Sequence, residues 1–215
     1  MWMTASPSAY CTSQYLQARQ QVRYADWVKC FHSITAHVVG TSMGIRPTGS
    51  LRHWGYQMFE EFQRIGRILF GLGIVGSHSG NMSVRSGDRM FITRRGSILG
   101  DLRDGDIIET GVFEDDSGIM LASTEIKVHR AIYEQTPALA IIHAHPPCAI
   151  AMSMLTDAIV PRNVEGSYFF HRIPVVEASL GVGSEESAKK VSSALKEYKG
   201  IILKGHGSFV HAKLL

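Results

Sequence analysis

"ALAIIHAHPPCAIAMSML", residues 138–155, is the stretch from which the rest of the chain can be read. Five apolar residues run together from Ala138 to Ile142, the mark of a strand buried within a sheet rather than one with a wet face. The run ends in His143 and His145. Alternate residues of an extended strand point the same way, so both imidazoles reach one spot where the strand leaves the sheet. Prolines 146 and 147 then open a helix, because proline fits the first helical turn and breaks later ones.

Working outward, "GYQMFEEFQRIGRILFGLG" (55–73) spaces Met58, Phe62, Ile65 and Leu69 as an amphipathic helix with glycines as stop signals. Short β-type runs follow at "NMSVR" (81–85), "MFIT" (90–93), "DIIET" (106–110) and "GIMLA" (118–122), separated by turn residues, and predict an antiparallel set. "STEIKVHRAIYEQ" (123–135) predicts a helix capped by Ser123 or Thr124 and stopped before Pro137. "RIPVVEA" (172–178) predicts a strand, "SEESAKKVSSALKEY" (184–198) a capped helix and "GIILKGHG" (200–207) a last strand. Strands and helices interleave, which makes the fold class α/β around one mixed sheet.

The 215 residues suffice for one domain with a tail, and no apolar run approaches the ~20 residues of a membrane span. Three scattered cysteines (Cys11, Cys30, Cys148) encode neither a disulfide framework nor a zinc knuckle, and predict a reducing, cytoplasmic setting. Residues 1–50 carry Arg19, Arg23, Lys29 and Arg46 against Asp26 and show no apolar period, so they predict a poorly patterned, poorly ordered extension. Residues 51–215 form the domain, and their 18 basic and 18 acidic residues leave no electrostatic footprint for nucleic acid.

The chemistry gathers at strand ends. His206 in "IILKGHG" also closes an apolar strand, between glycines that allow close approach. With His143 and His145 it supplies three imidazoles, the ligand set of a catalytic zinc site with an open position. The other seven histidines (His32, His37, His53, His78, His129, His171, His211) lack that context and are structural by default. Glu125 opens the helix after "ST", where an acid suits the helix dipole, but beside a metal it can ligate the ion or act as general base. The loops "SGNMSVRS" (79–86) and "ITRRGS" (92–97), with the amides that start the "STE" helix, can form an anion pocket that includes Asn81 and Ser123.

Taken in order, "SHSGNMSVR", "FITRRGS", "STEIKVHRAIY", "IIHAHPPCAIAMS" and "KGHGSFV" resemble the class II aldolase/adducin family, typified by the fuculose-phosphate aldolases. The resemblance runs from about residue 55 to residue 211. It implies a three-layer α/β/α fold around a largely antiparallel mixed sheet, and a homotetramer with active sites at subunit contacts. It implies zinc on His143, His145 and His206, and Glu125 as acid/base that also touches the metal. Asn81, Gly96, Ser123 and Thr124 match phosphate-binding positions. The implied reaction is reversible cleavage of a ketose 1-phosphate, such as L-fuculose 1-phosphate, to dihydroxyacetone phosphate and an aldehyde.

The sequence departs from that pattern at three places. His78 and Arg95 stand where the aldolases have threonines, and the tyrosine that protonates the aldehyde oxygen has no counterpart in "RNVEGSYFF" (162–170), where Tyr168 is the nearest. The chain stops at "HGSFVHAKLL" where relatives continue, so the domain is expected to be truncated at its C-terminus, with an open pocket. Relatives also include sugar-phosphate epimerases, which carry aspartate at the position of Glu125, dehydratases, which share the glutamate, and adducin's metal-free binding module. Glu125 favours the aldolase over the epimerase and the three histidines count against the binding module, while the dehydratase stays open and an inactive fragment is a further alternative.

Overall fold

A computed structural model describes residues 51–162, 164–179 and 182–212; the extension read at residues 1–50 lies outside them. From the N-terminal side the elements are α1 (Leu51–Gly71), β1 (Asn81–Ser86), β2 (Arg89–Thr93), β3 (Ile107–Gly111), α2 (Ile126–Gln135) and β4 (Ala140–Ala144). They continue with α3 (Pro147–Ser153), β5 (Ala158–Ile159), α4 (Val164–Phe169), β6 (Ile173–Val176), α5 (Glu185–Ala194), β7 (Gly200–Leu203) and β8 (Gly207–Ala212). All eight strands join one sheet in the order β3-β2-β1-β4-β8-β7-β6-β5. The β6–β7 pair is parallel and the others are antiparallel.

Strand side chains alternate between two covered faces. On one, Met90, Ile92, Ile141, Ile201 and Phe209 pack under α2 and α5 through Val128, Ile132, Tyr133, Val191 and Leu195. On the other, Met82 and Ile142 meet Phe62, Ile65 and Leu69 of α1, while Ile202 and Val210 meet Ala149 of α3. Helices on both sides of a largely antiparallel sheet give the expected three layers, and explain why β4 is apolar throughout its run.

Helix α1 forms because its apolar spacing puts Phe62, Ile65 and Leu69 on one buried stripe, each worth roughly 1.5–3 kcal/mol on full burial. It stops at Gly73, whose φ of 68° lets its N–H reach Phe70 O at 2.9 Å and the N–H of Ile74 reach Leu69 O at 3.2 Å. Gly66 lets the helix close on the next segment: a Cβ there would lie 2.0 Å from the carbonyl oxygen of Leu99.

The structure corrects the sequence reading in three places. "GIMLA" is not a strand. The Asp116 carboxylate accepts from Gly118 N–H (3.0 Å), Gly111 N–H (3.1 Å) and the Thr110 hydroxyl (2.7 Å), which winds Ser117–Met120 into a 3₁₀ turn; Ala122 alone returns to the sheet, as a bridge to Arg94. Helix α2 has no hydroxyl cap: Ser123, two residues ahead of the cap position, accepts through Oγ from Glu125 N–H (3.3 Å), and Glu125 itself occupies the cap position. The third difference is the last strand. "GSFVHA" is β8, set between β4 and β7 near the middle of the sheet.

Candidate active site

The sheet register brings the site together. Asn81 of β1, His143 of β4 and Phe209 of β8 lie abreast, and the His143 ring stacks on Phe209 with centroids 4.2 Å apart. His143 Nδ1–H donates to Ser208 O (2.9 Å), which fixes the tautomer and leaves a lone pair on Nε2. His145 stands one residue beyond β4, held by its backbone N–H on Ile74 O (2.7 Å). His206 sits on the turn between β7 and β8, behind Gly205 at φ 68°. Gly207 makes room for both other rings, since a Cβ there would lie 2.9 Å from His143 Cε1 and 2.9 Å from His145 Cδ2.

Glu125 reaches this cluster from the start of α2 and is only 2% exposed. Its Oε2 lies 3.0 Å from His143 Nε2 and accepts from Asn81 Nδ2 (2.8 Å), while Oε1 lies 3.2 Å from His206 Nε2. His145 Nε2 is 2.7 Å from His143 Nε2, and the three histidines' ligand atoms all fall within 4.8 Å of one another. So many lone pairs converging on one point repel each other unless a cation or proton stands between them. The donor set therefore fits a divalent ion held by three imidazoles, with Glu125 at its side.

Electrostatics agree with that use. Burial raises the Glu125 carboxyl, but the charge and hydrogen bond of His143, then hydrogen bonds from His206 and Asn81, outweigh it and hold the group well below the usual carboxylate range. Burial, reinforced by His143 and His206, pushes His145 down to about 4, so its ring is neutral near pH 7, as a ligand must be.

The cleft over the histidines is bordered by Asn81, Gly96, Ser123 and Thr124, so every anion-site candidate of the sequence lies on one opening. His78, Arg94 and Arg95 border it too, and the two guanidinium groups add positive charge. Tyr168 is on α4, 79% exposed, and is not among the cleft residues. One residue was passed over. His129, fully buried, joins Asn81 Oδ1 at 2.6 Å through Nε2 and Ser83 Oγ at 2.6 Å through Nδ1, and Ser83 Oγ meets Tyr133 OH at 2.7 Å. The signal was present: Glu125, His129 and Tyr133 recur every four residues along one helix face.

Three imidazoles and a buried carboxylate on an α/β frame are a donor set that could hold a metal ion in an enzyme. The chain belongs to the class II aldolase and adducin family: the model of the "Class II Aldolase and Adducin N-terminal domain" matches residues 60–215. It is 32% identical over 154 residues to an L-fuculose phosphate aldolase of Methanocaldococcus jannaschii, covering 69% of this chain and 80% of that protein. It is 30% identical over 175 residues to a methylthioribulose-1-phosphate dehydratase of Gluconobacter oxydans, covering 74% and 83%. The crystal structure of an L-fuculose-1-phosphate aldolase from Thermus thermophilus superposes with a TM-score of 0.70 at 32% identity, over 74% of this chain and 81% of that one.

Proposed function

We propose that the chain is a zinc-dependent aldolase that cleaves a ketose 1-phosphate, such as L-fuculose 1-phosphate, to dihydroxyacetone phosphate and an aldehyde. The observation that carries this reading is the placement of one ionised, solvent-shielded carboxylate within 3.0 to 3.2 Å of two imidazoles of a three-histidine set, at the floor of a cleft with a basic rim. His143, His145 and His206 would hold the zinc, with Glu125 able to touch it. Bound there, the ion would supply Lewis-acid polarisation of the substrate carbonyl, worth several kcal/mol.

The chain's own residues do the rest. Asn81, Gly96, Ser123 and Thr124, helped by Arg95, hold the phosphate and so orient the ketose over the floor of the cleft. When the carbon–carbon bond breaks, the electron pair stays on the carbon beside the carbonyl and the neighbouring hydroxyl loses its proton as it becomes the aldehyde; Glu125, ionised at the start, takes up that proton and delivers it to the carbon that keeps the electron pair. In the synthetic direction it removes the same proton. The buried position of Glu125 keeps competing water from that exchange.

The reading carries a homotetramer working in the cytoplasm. Among the described residues no helix is long and apolar enough to cross a membrane. It also assigns the catalytic domain to residues 51–215 and treats 1–50 as an extension, supported by the charge break near residue 50. Deleting 1–50 is then expected to leave metal content unchanged.

A second reading is favoured by the similarity to the Gluconobacter oxydans dehydratase: loss of water from methylthioribulose 1-phosphate, which uses a proton taken at the carbon beside the same carbonyl. Purified protein assayed for zinc per chain and for turnover of both sugar phosphates separates the two. Close to one zinc per chain with aldehyde release from fuculose 1-phosphate supports the aldolase. Turnover of the methylthio sugar alone moves the assignment to the dehydratase, and no metal with no turnover of either refutes both.

A further inference from the structure

Behind the site runs a line of five side chains: Tyr133, Ser83, His129, Asn81 and Glu125. All are shielded from water, with Asn81 the most exposed at 7%. Successive polar atoms are separated by 2.7, 2.6, 2.6 and 2.8 Å. Each hydrogen in this line has one place to go. Asn81 Nδ2 donates to Glu125 Oε2, which turns Oδ1 the other way. Oδ1 must then accept, and the group facing it is His129 Nε2–H. With its hydrogen on Nε2, the imidazole presents Nδ1 as an acceptor, and Nδ1 faces Ser83 Oγ at 2.6 Å. Ser83 donates to that lone pair, and Tyr133 donates to Ser83.

We propose that His129 is a positioning residue for Glu125: through Asn81 Oδ1 it locks the asparagine amide with its nitrogen toward the carboxylate, and so holds Glu125 in one rotamer over the reacting carbon. The inference rests on the reading of Glu125 as the proton-transfer group. Its physical basis is the near-equal size of the two ends of an amide. Sterically Asn81 can rotate by half a turn at little cost, but its carbonyl would then face the carboxylate, and a hydrogen bond would become a repulsion. The N–H of His129 opposes that rotation from the far side, and Ser83 and Tyr133 keep the N–H on the correct ring nitrogen. The second hydrogen on Asn81 Nδ2 is left for a ligand, so the same lock also aims a donor into the cleft.

The test compares His129→Leu, which has no donor, with His129→Gln, whose amide places an N–H near the position of Nε2. Each zinc-loaded protein is assayed for kcat and KM on fuculose 1-phosphate and for the rate at which dihydroxyacetone phosphate exchanges its C–H with D₂O. Zinc per chain and the unfolding temperature are read alongside. His129→Leu is expected to keep its zinc, to lose kcat and exchange by roughly tenfold to hundredfold, and to change KM by no more than about threefold, as a misaimed catalytic group does. His129→Gln is expected to recover most of that loss, and Tyr133→Phe to show a smaller loss of the same kind. Should His129→Leu not fold, His129→Asn takes its place, since its shorter amide stays near Ser83 and does not reach Asn81. Wild-type exchange in the donor-less variant, or equal impairment of His129→Gln, overturns the positioning role. Glu125→Gln in the same assay keeps the two readings apart. If it exchanges normally, the role of Glu125 itself is wrong; if it is inactive while His129→Leu is normal, the positioning role alone fails.

Discussion

Glu125 touches His143, His206 and Asn81 at once, so removing its charge separates its possible uses. Glu125→Gln keeps the size of the side chain and one acceptor oxygen but cannot take a proton. It is expected to retain most of the metal and to lose about 10²- to 10⁴-fold in kcat, measured by aldehyde release beside metal analysis. Parallel loss of metal would make the residue a ligand first. Gly207 gives a second, independent test, because its missing side chain is the space into which two rings fit. Gly207→Ala is expected to displace His143 and His145, weakening metal binding by roughly tenfold or more while the unfolding transition persists, as read by titration against a chelator. The cluster of His143, His145 and His206 was legible in the sequence because each strand that carries it is an apolar run. His129 was not, since its meaning depends on Asn81 and Ser83 of β1, a strand that precedes it by more than 40 residues, and only the register of the sheet brings them opposite α2.

At the scale of elements, α2 does two jobs: its apolar side fastens it to the sheet and its first residue before the helix carries Glu125. Ile132 is fully buried in that seam. Ile132→Ala is expected to cost about 2–5 kcal/mol by urea denaturation, with a cavity under the helix that also loosens the carboxylate, so kcat should fall while the metal is retained. The helices α1, α2 and α5 were readable in sequence because burial on one side imposes a period, and β4 because cover on both faces leaves an unbroken apolar run. β8 was not. Lying between two strands and under both layers, "GSFVHA" is buried on both faces over most of its length, and Ser208 and His211 erase what alternation remains. "GIMLA" failed for the opposite reason: a single carboxylate, Asp116, bends the backbone more strongly than the β preference of its neighbours holds it straight.

For the whole molecule, buried neutral histidines set how stability responds to acid. Burial pushes His129 from 6.5 to about 3, whereas in the unfolded chain it would titrate near its ordinary value. Between those values the unfolded chain binds a proton that the folded chain refuses, so this stabilising contribution is complete above about pH 6.5 and is lost as pH falls toward 3. His145, pushed down to about 4, acts in the same direction. Urea midpoints between pH 7.5 and 4.5 are expected to fall more steeply for wild-type protein than for His129→Gln; parallel curves would show that His129 is charged in the fold.

The position of β8 gives the molecule a timetable. Until residues 207–212 are made and inserted, the sheet exists at best as two separate ribbons, one ending at β4 and one at β7, each with an unpaired and apolar edge. The final insertion joins the ribbons and in the same event carries His206 to His143. During synthesis, then, the chain is most prone to stick to its neighbours while β8 is missing, and its three clustered histidines come together only once β8 is in place. Chains stalled on the ribosome before Gly207 should bind chaperones strongly and metal hardly at all, and exposure of residues 207–212 should change both together.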